Sequence, residues 1–292
     1  MMKFLSITLL LSALVVTGCQ QGKRDAEEFA FRAEVFLALN KLDRAEQEAT
    51  KATAANPSDP EAWFQLAEVM ARKNNADSAI ALYAKSAEVD PKFVKGLLAL
   101  SNAYVATQKS EDALKAIRRV IEVKPDTSVA YNNEGVILTN LSRFDEAVKS
   151  FTNAIKKDEN NAQAHYNLGN VLMKQGKQDD AITSYKKALQ LNPNFAQAYI
   201  DLAAISNAKG DLHEAYNNQG LALLVQNNVA AAIELFKKAV EAKPDYAIGH
   251  NNLGHAYLRM NDRTRGLDGL KAAAKLGYAD AQRLLRQENI TW

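Results

Sequence analysis

Prolines recur at a fixed interval in this 292-residue chain. Pro57, Pro91 and Pro125 stand 34 residues apart, and Pro193 follows after twice that interval, with Glu159 at the place between. A chain built on such a period does not fold around one central core. Each unit of about 34 residues buries its apolar face on its neighbours, so the period predicts a solenoid of stacked units.

In a frame that begins at Ala26, small residues hold two places. The eighth carries Ala33, Ala67, Ser101, Gly135, Gly169, Ala203, Gly220 and Gly254; the twentieth carries Ala45, Ala79, Ala113, Ala147, Ala181, Ala215, Ala232 and Gly266. Two helices approach closely only where side chains are small. Large apolar residues hold the fourth, eleventh and twenty-fourth places, as in Trp63, Met70 and Tyr83, or Tyr131, Leu138 and Phe151. This spacing gives each helix an apolar stripe. These aromatics are core residues, not a cofactor box.

HYNLGNVLMKQGKQDDAITSYKKALQLNP, residues 165–193, resembles the consensus of the tetratricopeptide repeat, and the match extends from Ala26 to about Gly277. The resemblance implies an all-α solenoid of helix-turn-helix units. Repeat one departs from the pattern, with Arg32 at an ordinarily apolar place, and YADAQRLLRQ, residues 278–287, reads as a helix that closes the last repeat. The period also breaks once. Pro193 and Pro244 are 51 residues apart, one and a half repeats, so a half repeat is missing near residues 196–216. GDLHEAYNNQGLALL, residues 210–224, belongs to both frames: GDLHEA opens a second helix, whereas AYNNQG copies the first-helix AYNNEG of residues 130–135. One helix is expected to serve as both. The expected organisation is therefore a signal segment at 1–18, a short linker at 19–25, a first block at 26–212 with five repeats and a half, and a C-terminal block at 213–292 with the closing helix.

The N-terminus reads separately. Lys3 precedes an apolar run from Phe4 to Val16, too short to span a bilayer, and Val16-Thr17-Gly18-Cys19 contains the only cysteine of the chain. The stretch resembles the lipobox of bacterial lipoproteins. That implies cleavage before Cys19, acylation of its sulfur and its new amine, and a membrane-held protein. A lone cysteine has no disulfide partner within the chain. Gln20, in place of aspartate, implies by the same resemblance the outer membrane, with the folded part facing the periplasm. Only Gln20 to Asp25 separate the anchor from repeat one, a reach of at most ~20 Å.

Charge is balanced, with 36 basic and 34 acidic residues, which gives no concentrated basic face for nucleic acid. Chemistry is equally sparse. His165, His213, His250 and His255 form no i, i+4 metal pair, and there is no glycine-rich phosphate loop, no GxSxG elbow and no cysteine nucleophile. Asp179-Asp180 reads as helix-start charge. No enzyme activity, cofactor or metal is expected.

Asparagines are the suggestive residues. The sixth place carries Asn133, Asn167, Asn218 and Asn252, and Asn170 lies one turn beyond Asn167. The family resemblance puts this place on the groove side of the first helix, where a row of amides binds the backbone of an extended peptide. An amide both donates and accepts, so it pairs with any peptide unit. An asparagine here also suits a local hydrogen-bonding role, and both readings stand. The groove expected on this basis runs along repeats two to five, with Gln65, Asn133, Asn167 and Asn170 facing it and Lys174 at its edge. Asn218 and Asn252 would form a second site or a self-association surface. Two functions stand open: an adaptor in assembly of a pilus or secretin, implied by resemblance to pilus-assembly and pilotin-type lipoproteins of this repeat class, or a recruiter of periplasmic peptidoglycan enzymes or a protease, or else a factor in polysaccharide export.

Overall fold

The computed structural model of the protein describes residues 22–292; the signal segment, Cys19 and Gln20 lie outside them. Every regular element among the described residues is an α-helix. The first compact unit, residues 22–157, holds α1 (22–38), α2 (Leu42–Ala55), α3 (Pro60–Arg72), α4 (Ala76–Val89), α5 (Val94–Ala106), α6 (Ser110–Val123), α7 (Ser128–Asn140) and α8 (Phe144–Lys157). The second, residues 158–292, holds α9 (Ala162–Lys174), α10 (Gln178–Leu191), α11 (Ala196–Lys209), α12 (Leu212–Val225), α13 (Val229–Ala242), α14 (Ala247–Arg259), α15 (Arg263–Lys275) and α16 (Ala279–Gln287). No helix among the described residues is long and apolar enough to cross a membrane.

The small places work as the repeat pattern requires. A Cβ added to Gly135 would lie 2.6 Å from the Phe151 ring, one on Gly169 2.6 Å from the Tyr185 ring, and one on Gly220 2.5 Å from the Phe236 ring. In each of these three hairpins the eighth place of the first helix is the socket for the twenty-fourth-place ring of the second. Phe151 and Phe236 are buried completely or nearly so, and each such side chain contributes about 1.5–3 kcal/mol of hydrophobic stabilisation.

The turns carry the same period in the backbone. A left-handed residue follows the first helix of successive repeats at Asn40, Asn74, Gln108, Ser142, Gly176 and Gly210, with φ between 55° and 81°. One residue on, a backbone N–H reaches back to the helix, as from Asn75 to the Met70 carbonyl (2.9 Å) and from Asp211 to the Ser206 carbonyl (2.9 Å). This closure satisfies carbonyls that the helix end leaves open. The second helices end otherwise, on extended residues such as Asp90 and Asn192.

The expected half step is plain in this series. After Gly210 the next left-handed residue is Asn227, followed by Asn261, so the interval falls to half a repeat and then recovers. No additional helix lies between Gly210 and Gly220, and α12 runs unbroken through residue 213. It completes a hairpin with α11, where Ser206 Oγ donates to Glu214 (3.4 Å). It opens another with α13 through Gly220 and Phe236. Gly277 makes a left-handed turn after α15 as well, so α15 also ends like a first helix, and α16 folds against it. Leu285 is fully buried there, with Ile290 and Trp292 packed on the same cluster.

Candidate functional site

Several polar residues of the first helices serve the fold. At the fourth place, Trp63 Nε1 donates to the Pro57 carbonyl (2.8 Å), His165 Nε2 lies 3.3 Å from the Glu159 carbonyl, and His250 Nε2 lies 2.9 Å from the Pro244 carbonyl. A carbonyl only accepts, so Nε2 carries the proton in both histidines. Each ring tethers its helix to the preceding proline-position residue, which explains why a histidine stands where other repeats have an aromatic. Burial pushes the His165 imidazole below its usual value, against an opposing effect of that backbone bond. His213 packs edge-on against Tyr246, with centroids 4.9 Å apart. No cluster of three or more metal-ligating side chains occurs among the described residues.

Gln65 lies on α3 but is buried, and its amide donates to Glu61 Oε1 (2.9 Å); it holds the helix and offers no open amide. Asn133, on α7, is half-buried. In the second unit, Asn167 is half-buried on α9 and accepts from Gln163 (2.9 Å). Asn170 accepts from Tyr185 OH (2.8 Å) and also bonds Tyr166, so its amide is spent inside the unit. Glu68, at the same place of an earlier repeat, receives the Tyr83 hydroxyl likewise. Lys174 is exposed at the end of α9. Asn252 donates to Asn217 Oδ1 (2.8 Å), a contact between α14 and α12, while Asn218 is half-buried beside the buried Asn217.

What these polar contacts surround in the second unit is an open cleft of about 490 Å³, bounded by α9, α10 and α11. Met173, Ala204, Ile205 and Ala208 make its apolar surface, and Gln178, Tyr185 and Asp201 its polar one. Asp201 occupies the sixth place of its repeat, in the row that elsewhere holds asparagine. Its Oδ2 accepts from Tyr166 OH (2.9 Å) and its Oδ1 from Gln197 Nε2 (3.2 Å). Tyr166 is itself wedged between Tyr185 and Phe195, with centroids 5.6 Å and 4.6 Å away. Burial raises the phenols of Tyr166 and Tyr185, and the Asp201 charge adds to it. Both therefore stay protonated as hydrogen-bond donors. An apolar wall beside a fixed carboxylate has the chemistry to receive a side chain, and it carries no nucleophile with an adjacent base. Reading the sixth place for amides alone passes over Asp201, although the period alone places it in that row.

Tetratricopeptide-repeat signatures match residues 32–92, 70–132, 135–176, 162–195, 184–216 and 220–261, leaving only 133–134 and 217–219 unmatched between 32 and 261. The PEX5-related protein of Mus musculus is 30% identical over 79 residues, which is 27% of this chain and 14% of that protein. MamA from Desulfovibrio magneticus RS-1, taken from its residue 41 to its end, superposes with a TM-score of 0.54 at 15% identity, over 59% of this chain and 97% of that one. YrrB, described as a TPR protein with an unusual peptide-binding site, covers 69% of this chain and 95% of its own at 21% identity and a TM-score of 0.46. Repeat signatures over nearly the whole helical array, and helices that interlock at the small places of the 34-residue period, lead to one conclusion: the chain belongs to the tetratricopeptide-repeat family.

Proposed function

We propose that this protein is a lipid-anchored scaffold on the periplasmic side of the outer membrane, which holds a protein or an extended peptide during assembly of an envelope machine such as a pilus or secretin. The observation that carries the binding role is the cleft bounded by α9, α10 and α11, with exposed Met173 beside the held carboxylate of Asp201. The anchoring role follows from the lipobox-like Val16-Thr17-Gly18-Cys19, and the short linker beyond it would hold repeat one near the membrane. Asn167, in the same unit as the cleft, supplies a sixth-place amide for backbone contact with the bound segment, Asn133 offers the same amide on the first unit by itself, and Asn218 and Asn252 belong to a separate surface.

Two measurements test this. Cys19→Ala abolishes fatty-acyl labelling and releases the protein from membranes; labelling that survives the change refutes the anchor. Crosslinking in intact cells, followed by identification of partners, recovers pilus or secretin components. Recovery of peptidoglycan enzymes instead moves the protein to the recruiter role. Asn133 and Asn167 changed together to alanine leave the protein folded and membrane-bound but lower capture. Capture unaffected by that pair, yet lost on changing Asn218 and Asn252, places the site in the C-terminal part.

A further inference from the structure

Asp201 differs from the rest of its row in charge, and that charge is uncompensated. Its two hydrogen bonds come from neutral groups, Tyr166 OH and Gln197 Nε2, and no ion pair to it occurs among the described residues. Lys209, which follows Ala208 at the cleft wall, is engaged by Asp179 (3.0 Å). A carboxylate offers about four acceptor sites, so two filled ones leave room for another donor. The two neutral partners also fix its orientation in advance, which removes part of the ordering cost of binding. Apolar surface lies beside it, with Met173 37% exposed and Ala204 and Ala208, on the same cleft wall, exposed as well.

We infer that the cleft selects a partner segment in which a lysine or arginine lies beside an apolar side chain, the cation pairing with Asp201 and the apolar group covering Met173 and Ala208. This rests on the peptide-binding reading above and sharpens it from any extended segment to a basic one. Charge complementarity decides the occupant. An acidic or phosphorylated segment would bring like charge to a carboxylate that no cation neutralises, whereas a wholly apolar one would cover that carboxylate and leave it without water. A second tether holds the arrangement in register: Tyr185 OH bonds Asn170, and Asn170 bonds Tyr166, so the hydroxyl that orients Asp201 is itself oriented.

The test is selection of a random library of 12-residue peptides, acetylated and amidated at their ends, by the detergent-solubilised full chain, beside Asp201→Asn and Ala204→Phe. Asp201→Asn keeps an acceptor for Tyr166 and removes the charge; Ala204→Phe fills the cleft from an exposed position without entering the core. The wild type retains peptides enriched in Lys or Arg next to Leu, Met or an aromatic residue. Asp201→Asn binds those same peptides about tenfold or more weakly, the scale of a charge-assisted hydrogen bond, while keeping uncharged ones. Ala204→Phe loses both classes. Wild-type selection with no basic enrichment, or basic peptides unaffected by Asp201→Asn, overturns this inference and leaves peptide binding standing. Retention of no peptide overturns the peptide-binding reading, and this inference with it.

Discussion

The claim that α12 serves two hairpins is tested most directly at Gly220. Glycine inside a helix costs about 0.5–1 kcal/mol relative to alanine, so Gly220→Ala at an open position would stabilise the protein by that amount. Here the added methyl lies 2.5 Å from Phe236 Cε1, 2.8 Å from Cδ1 and 2.9 Å from Cζ, against about 3.5–4.0 Å for a relaxed carbon contact. The ring has to retreat by about an ångström, and Phe236 is fully buried, so nothing beside it yields cheaply. Overpacking of this kind costs about 1–3 kcal/mol. Set against the helix gain, Gly220→Ala is expected to destabilise by about 0.5–2 kcal/mol. Phe236→Leu withdraws the distal ring atoms and alone opens a void, at about 1–2 kcal/mol. In the double variant the methyl occupies space the ring has vacated, so the double is less destabilised than the two singles added, by about 1 kcal/mol. Urea unfolding followed by circular dichroism measures all four proteins of the cycle. A stabilised Gly220→Ala, or strict additivity, would falsify the assignment of Gly220 to the socket of α13 and with it the double role of α12.

Glu134 stands where Leu66, Leu100, Leu168, Leu202 and Leu253 stand in other repeats, and it is buried with Arg118 (3.0 Å) and Ser150 (2.8 Å) as partners. Glu134→Leu is expected to be neutral or stabilising in thermal unfolding, because it removes a buried charge and restores apolar packing. Arg118→Ala is expected to cost about 1–3 kcal/mol, since it strips a buried carboxylate of its cation; the reverse order of the two variants would sink this account. His165 predicts a pH dependence. Its folded-state pKa is lowered, chiefly by burial, so the unfolded chain binds a proton more readily. Its contribution is therefore present in full above about pH 6.5 and is lost as pH falls through the folded value. His165→Gln, which keeps an N–H for the Glu159 carbonyl, flattens the loss of Tm as pH falls below about 6.5 relative to wild type. An unchanged slope removes His165 as its source.

Much of this molecule was legible in the chain because its decisive contacts are short in sequence and repeat. Gly135 meets Phe151, Gly169 meets Tyr185 and Gly220 meets Phe236 at one constant separation, so a small residue and a ring at fixed places announce the same hairpin each time. The half step could be read for the same reason: Ala215 and Gly220 satisfy two frames on one helix, and a helix presents both faces. Which polar side chains remain available for a partner was not legible. Gln65 and Asn170 look as open as Asn133 in the sequence, yet Glu61 takes the first and Tyr185 the second. The link from Tyr166 to Asp201 joins residues 35 apart on neighbouring first helices. Periodicity assigns a residue to a face of its helix, but a hydrogen bond depends on the rotamers and burial of several residues at once. Only packing decided that Gln65, Asn170 and Asn252 are engaged within the fold while the carboxylate of the sixth-place row, Asp201, lies beside an open apolar wall.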